Sequence, residues 1–228
     1  MKLIFAGTPA NAALALELLA ATHEVVMVIT REDAPVGRKR ELMPSAVAAK
    51  AAELGITTMK RNKLTPSDIG MIMESGAERA IVVAYGALIP QALLDVLPWW
   101  NLHFSLLPNW RGATPLQHSM LSGGHGAGIS LFELEAGLDT GPILASQPRE
   151  IDYSRTCGEL LEEFTRSGSA MILEALKTLP IPTIQQGEVS LAPKIGRDQA
   201  RLDVKLTADQ LAWKVMGLNP EPCAWAEL

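Results

Sequence analysis

The chain has 228 residues, 48% hydrophobic and 20% charged, a balance that excludes a disordered polymer and allows one large globular domain with an appendage. A net charge of −5 argues against a protein that holds nucleic acid by bulk electrostatics, which shows as a strongly basic domain. Cys157 and Cys223 lie far apart without CxxC or Cys/His ligand spacing, so both read as free thiols of a reducing compartment and no metal is implied.

Lys2 and the apolar residues after it imitate a signal peptide, but Gly7, Thr8, Pro9 and Asn11 interrupt the run and Glu17 charges it. No apolar run reaches the ~20 residues that span a bilayer. A cytoplasmic enzyme with no membrane partner, and a monomer, is the expectation.

In chain order, residues 2–5 predict a buried strand, 6–9 a tight turn, 12–21 a helix and 25–30 a second strand. Strand, helix and strand within about thirty residues make a βαβ unit, hence a parallel sheet with a right-handed crossover. Gly7 stands alone rather than in GxGxxG, which gives a dinucleotide site little support. Residues 31–43, with Pro35 and Gly37 and no periodicity, predict an exposed loop longer than usual at a strand's carboxyl end. Its run Arg38, Lys39, Arg40, and a second run Lys60, Arg61, Lys63, suit either phosphates or solvent.

Pro44 and Ser45 predict the start of a helix that Gly55 ends. A weak strand at 56–59, a helix at 66–75 and the apolar run 80–84, a central parallel strand, follow. Tyr85, Gly86, Ala87, Leu88, Ile89 and Pro90 then form an apolar loop suited to wall a flat heterocycle. A short helix at 91–97, a strand at 99–104, a helix at 114–121 and strands at 128–134 and 143–151 come next, with a long helix at 156–179. The remainder, including a helix near 208–216, predicts a tail packed on the main domain. The fold class expected is α/β, a Rossmann-like, mostly parallel sheet with helices on both faces.

The stretch NLHFSLLPNWRG (101–112) carries the chemistry. Strand alternation sends Asn101, His103 and Ser105 to one side and Leu102 and Phe104 to the other. Asn is depleted inside strands, so it needs a reason: a hydrogen-bonded strand end, or a catalytic pair. Asp139, in the glycine-flanked turn AGLDTGP, is expected beside His103, where a carboxylate raises an imidazole's pKa and fixes its tautomer. An amide donor, a histidine and a carboxylate suit attack by an amine on an acyl carbon: Asn101 donating to the developing oxyanion, His103 stabilising it or moving a proton, Asp139 tuning His103. Ser105 lacks the GxSxG elbow and reads as a turn residue. His118 and His125 do not suit a metal pair, because Gly123 and Gly124 interrupt any helix joining them.

The pattern NxHxSLLPxWRGAxP followed by GLDTGP resembles the folate-dependent formyltransferases. AGTP at the start, xGRxxxLMPSxV at 37–47 and AYGxxxP at 84–90 look like the branch acting on methionyl-tRNA in particular. The resemblance runs along almost the whole chain. It implies a Rossmann-like catalytic domain that moves a formyl group from 10-formyltetrahydrofolate to the amino group of initiator Met-tRNA, with no metal. Asn101, His103 and Asp139 match the family's catalytic trio. Tyr85 to Pro90, with Ser105, Leu106, Leu107, Pro108, Gly137 and Leu138, match its folate pocket. Arg38 matches a basic residue that reaches the tRNA acceptor end, with Gly7, Thr8 and Pro9 beside the acceptor.

Ala10 and Asn11 stand where an acidic residue and a phenylalanine are common, Phe104 where a small residue is usual, Asn109 where a basic one is, and Glu221 where an aromatic is. The resemblance assigns 1–190 to the catalytic domain and 191–228 to a linker and the start of a C-terminal region, whose β-barrel is expected beyond Leu228. Two alternatives stay open: a small amine as acceptor, such as a glycinamide ribonucleotide or an amino sugar nucleotide, or a folate- or tRNA-binding module without turnover.

Overall fold

The computed structural model describes residues 1–37 and 39–227. β1 (Lys2–Gly7) is buried beyond Lys2, as its apolar run requires of a central strand. α1 (Ala10–Ala20) crosses over to β2 (Glu24–Thr30), which pairs with β1 in parallel. The stretch expected as an irregular loop instead contains a small antiparallel hairpin, β3 (Ala34–Val36) and β4 (Glu41–Met43). Three-residue strands lying outside the core leave no periodicity to read, and Pro35 is tolerated because this ribbon has only edges.

α2 (Ala46–Glu53) is capped by Ser45, whose Oγ accepts from the Ala48 N–H at 2.9 Å. β5 (Thr58–Lys60) ends the sheet on this side. A 3₁₀ turn leads into α3 (Ile69–Glu74), followed by β6 (Arg79–Val83), α4 (Gln91–Leu94) and β7 (Trp99–His103). Two-residue β8 (Arg111–Gly112), α5 (Pro115–Leu121), β9 (Gly128–Glu133) and β10 (Ile143–Pro148) precede the 22-residue α6 (Cys157–Thr178), whose start carries a Thr156/Glu159 capping box. β11 (Leu191–Ala192) and α7 (Ala208–Gly217) belong to the tail.

The main sheet runs β10-β9-β7-β6-β1-β2-β5. From β5 to β7 all pairings are parallel, and β9 and β10 add on antiparallel. Helices cover both faces. Phe5, Leu102 and Phe104 meet Leu16 of α1 and Phe164 of α6, while Ile4, Val82 and Trp99 meet Ile72 of α3 and Leu93 of α4. Gly168 lets α6 close on β7, since a Cβ there would lie 2.5 Å from the Leu102 side chain. Among the described residues no helix is long and apolar enough to cross a membrane.

The tail is tied into this body. β11 pairs in parallel with β8, and Leu218, Ile195 and Ala200 form a small core of their own against Leu121 and Trp225.

Candidate active site

Alternation along β7 decides the site. Trp100 and Leu102 face the α1/α6 layer while Trp99 faces the α3/α4 layer, so Asn101 and His103 are on the second face, near the strand's carboxyl end. His103 is 5% exposed, and Asn101 is half-buried with a carboxamide that no protein group engages among the described residues.

His103 is held from both sides of its ring. Nε2 is 2.9 Å from the Trp110 carbonyl, and Nδ1 is 3.8 Å from Asp139 Oδ2. A carbonyl can only accept, so the neutral ring carries its proton on Nε2 and turns the Nδ1 lone pair towards Asp139. Burial pushes the His103 pKa below the ordinary histidine value, against the opposing pull of the Asp139 carboxylate and the Trp110 carbonyl.

Asp139 reaches His103 by an indirect route. β9 is antiparallel to β7, with Glu133 opposite Trp100, so the turn after β9 begins at the wrong end of β7 and must fold back. It does so with Asp139 in the left-handed region, at φ 50°. The Gly112 N–H donates to Asp139 Oδ2 at 2.8 Å, and Gln185 Nε2 donates to the carbonyls of Asp139 and Gly141, both at 2.8 Å.

Trp110 is placed with similar care. At φ 61° it turns its carbonyl to His103, while its N–H donates to Ser190 Oγ at 2.9 Å and its indole N–H to the His125 carbonyl at 2.7 Å. His118 stacks on its ring, and its Nε2 meets the Pro193 carbonyl. Among the described residues no group of three His, Cys, Asp or Glu is arranged for a metal ion. Gln185 and Ser190 are the residues that sequence reading missed, because both sit in an irregular stretch with no motif or period.

The remaining candidates fall at strand ends around the trio. Gly7 lets β1 approach β6, a Cβ there lying 2.7 Å from the Val83 carbonyl; Thr8 Oγ1 donates to the Tyr85 carbonyl at 3.0 Å. In the loop after β6, Tyr85 is buried, its hydroxyl donates to the Arg61 carbonyl at 2.8 Å, and burial raises its pKa to about 12. Ala87 and Ile89 pack in that same layer, Gly86 has φ 88°, and Pro90 precedes α4. Leu88 is 69% exposed and Leu138, next to Asp139, 52%. Ser105 is fully buried with Oγ donating to the Asn109 carbonyl at 2.5 Å, and Ser130 Oγ binds the Ser105 carbonyl and accepts the Leu107 N–H. Leu106 N–H donates to the Gly126 carbonyl, and the Leu107–Pro108 peptide is cis. Gly137 packs on Thr140. Arg38 lies outside the described residues.

A cavity of about 670 Å³ opens on the α1/α6 side of the same strand ends. Leu14, Ala84, Phe104, Ala113, Leu116 and Leu161 give it apolar walls, and among the described residues Pro9 is the one predicted site residue that lines it. Ala10, Asn11, Phe104 and Glu221, four of the positions that depart from the resembled pattern, all line it.

The sequence pattern of the family described as "Formyl transferase" matches residues 1–176. The methionyl-tRNA formyltransferase of Arthrobacter sp. (strain FB24) is 45% identical over 235 residues, covering 100% of this chain and 77% of the relative. In fold, the chain is similar to the methionyl-tRNA formyltransferase from Clostridium thermocellum, with a TM-score of 0.72 and 18% identity over 100% of this chain and 88% of that one. HypX from Aquifex aeolicus in complex with tetrahydrofolic acid gives the same TM-score and identity over 100% of this chain and 36% of that one. With its whole length aligned to such relatives, the chain belongs to the formyl transferase family, among the methionyl-tRNA formyltransferases.

Proposed function

We propose that this chain transfers a formyl group from 10-formyltetrahydrofolate to the amino group of initiator methionyl-tRNA by direct attack of the amine. The observation that carries it is the arrangement on one face of β7: a free Asn101 carboxamide two residues before a buried His103 that is bracketed by Trp110 and Asp139.

The residues present fit the folate. The exposed Leu88 and the buried Tyr85 and Ile89 offer an apolar wall, and Leu138 faces solvent from the Asp139 turn. When bound, the folate supplies the formyl carbon. Asn101 Nδ2 donates to the formyl oxygen as negative charge gathers there, in a setting where a fixed donor costs no reorganisation. His103 takes the attacking amine's proton at Nδ1, where Asp139 meets the imidazolium, and returns it to the folate nitrogen as the bond from that nitrogen to the formyl carbon breaks, while the Trp110 carbonyl keeps the other ring proton in place. No covalent enzyme intermediate is needed: Ser105 is committed to the Asn109 carbonyl, and burial pushes the Cys157 thiol up to about 12. The apolar cavity beside Phe104 and Ala113 would take the methionyl side chain of the acceptor, an assignment that its apolar lining supports.

The test is formyl transfer to Met-tRNA by the chain as it stands, beside His103→Ala. Transfer by the parent and its loss in the variant are expected; undiminished turnover in His103→Ala would sink the assignment. Transfer to glycinamide ribonucleotide or an amino sugar nucleotide in place of Met-tRNA would redirect it to a small acceptor.

A further inference from the structure

We infer that Gln185 is a positioning residue for the reaction, setting the place at which the Asp139 carboxylate meets His103. The inference rests on the reading of Asn101, His103 and Asp139 given above. Gln185 touches none of the reacting groups. It acts on the backbone that carries one of them.

Its carboxamide is used completely. Both N–H groups of Nε2 are spent on the Asp139 and Gly141 carbonyls at 2.8 Å, and Oε1 accepts from Arg111 Nη2 at 2.7 Å and Nε at 3.2 Å. Arg111 is followed by Gly112, whose N–H holds Asp139 Oδ2. The bonds therefore close a ring: Asp139 side chain, Gly112, Arg111, Gln185, Asp139 main chain. That ring fixes both ends of the aspartate, its carboxylate and its carbonyl, while its backbone sits in the left-handed region that a non-glycine residue adopts only when its surroundings impose it.

Only a glutamine satisfies this ring. Glutamate would aim an anionic acceptor at two carbonyls, asparagine is one methylene too short, and leucine has the bulk but no donors. Neighbouring Gln186 is exposed and makes no side-chain hydrogen bond among the described residues, so it supplies a matched control. Freed of the ring, Asp139 loses its fixed approach to a histidine that already stands 3.8 Å away, and a misplacement of about 1 Å in a reacting constellation can cost about 100-fold.

The experiment measures kcat and both KM values for Gln185→Leu, Gln185→Glu and Gln186→Leu, with thermal unfolding as the check on folding, and repeats Gln185→Leu in an Asp139→Ala background. A fall in kcat of roughly 10- to 100-fold in both Gln185 variants is expected, with KM for Met-tRNA and for 10-formyltetrahydrofolate within about two-fold. In the Asp139→Ala background the same change should cost less than about two-fold, since the two residues act as one unit. Gln186→Leu should match the parent. Unchanged kcat in the Gln185 variants overturns the inference, and so does an equal loss with and without Asp139, which would mark a merely structural role. Full activity in Asp139→Ala alone overturns the trio itself, a failure told apart by that single variant.

Discussion

His103 Nδ1 and Asp139 Oδ2 stand 3.8 Å apart, inside ion-pair range but beyond hydrogen-bond length, with the opposite ring nitrogen already bonded to the Trp110 carbonyl. A shift of less than about 1 Å would bring the pair to hydrogen-bond length, and in the proposed mechanism it would accompany a proton arriving on Nδ1.

Replacing Asn101 by Ala should lower kcat by about 100- to 1,000-fold, the usual effect of removing one oxyanion donor. Among the described residues the carboxamide has no protein partner to lose, so the unfolding temperature should stay within about 2 °C for a domain of this size. Steady-state kinetics beside a thermal melt separates the two. A large drop in melting temperature would make Asn101 a structural residue.

Acid should destabilise the protein through His103. Burial holds its folded pKa below the unfolded value of about 6.5, so the unfolded chain binds the proton first as pH falls. Stability tied to this ring is present above about pH 6.5 and is lost as pH drops from there through the lower folded value. Chemical unfolding followed between about pH 7.5 and 5 should show His103→Gln losing less stability than the parent. Parallel curves for the two proteins would refute this.

Gly112→Ala should be among the most damaging single changes. The residue has φ 131°, and a Cβ would lie 2.5 Å from the Ala192 carbonyl, backbone that cannot step aside. Parting β8 from β11 also moves the N–H that holds Asp139. A loss of about 2–4 kcal/mol together with a fall in kcat is expected, read by denaturant unfolding and formyl transfer.

Leu161→Trp should fill part of the 670 Å³ cavity. If the cavity takes the acceptor's side chain, KM for Met-tRNA rises by roughly 10-fold while KM for the folate holds, because a wall that contacts only one substrate penalises only that one. The reverse split would assign the cavity to the folate.

Much of the architecture could be read from residue patterns. The β1–α1–β2 unit is written in a buried run, a Gly/Pro turn and an Ala/Leu helix, and the sides of β7 follow from alternation between Leu102 and His103. The β3–β4 hairpin escaped because two three-residue strands, five of their six residues exposed, obey no period. Asp139 is expected beside His103 from its glycine-flanked turn, with the resemblance agreeing, but its path from the far end of β9 depends on antiparallel pairing that β9's sequence does not declare. Gln185 left no trace at all: its partners are two backbone carbonyls, which every residue possesses, and one arginine 74 positions away. The cavity was hidden for a similar reason, since α1, α5, α6 and residues 219–221 each supply a fragment of its wall.

The segment that bears Gln185, Ser190 and β11 has a consequence for how the molecule is made. Its bonds to Trp110 and Arg111 span 80 and 74 positions, among the longest closures in the chain. Synthesis runs from the amino end, so a nascent polypeptide that has emerged through α6 already owns every strand of the seven-stranded sheet. Trp110 and the Asp139 turn still lack the bonds from Ser190 and Gln185 at that stage. The scaffold is therefore complete on the ribosome well before the site is, and residues 185–192 are the fastening that sets it.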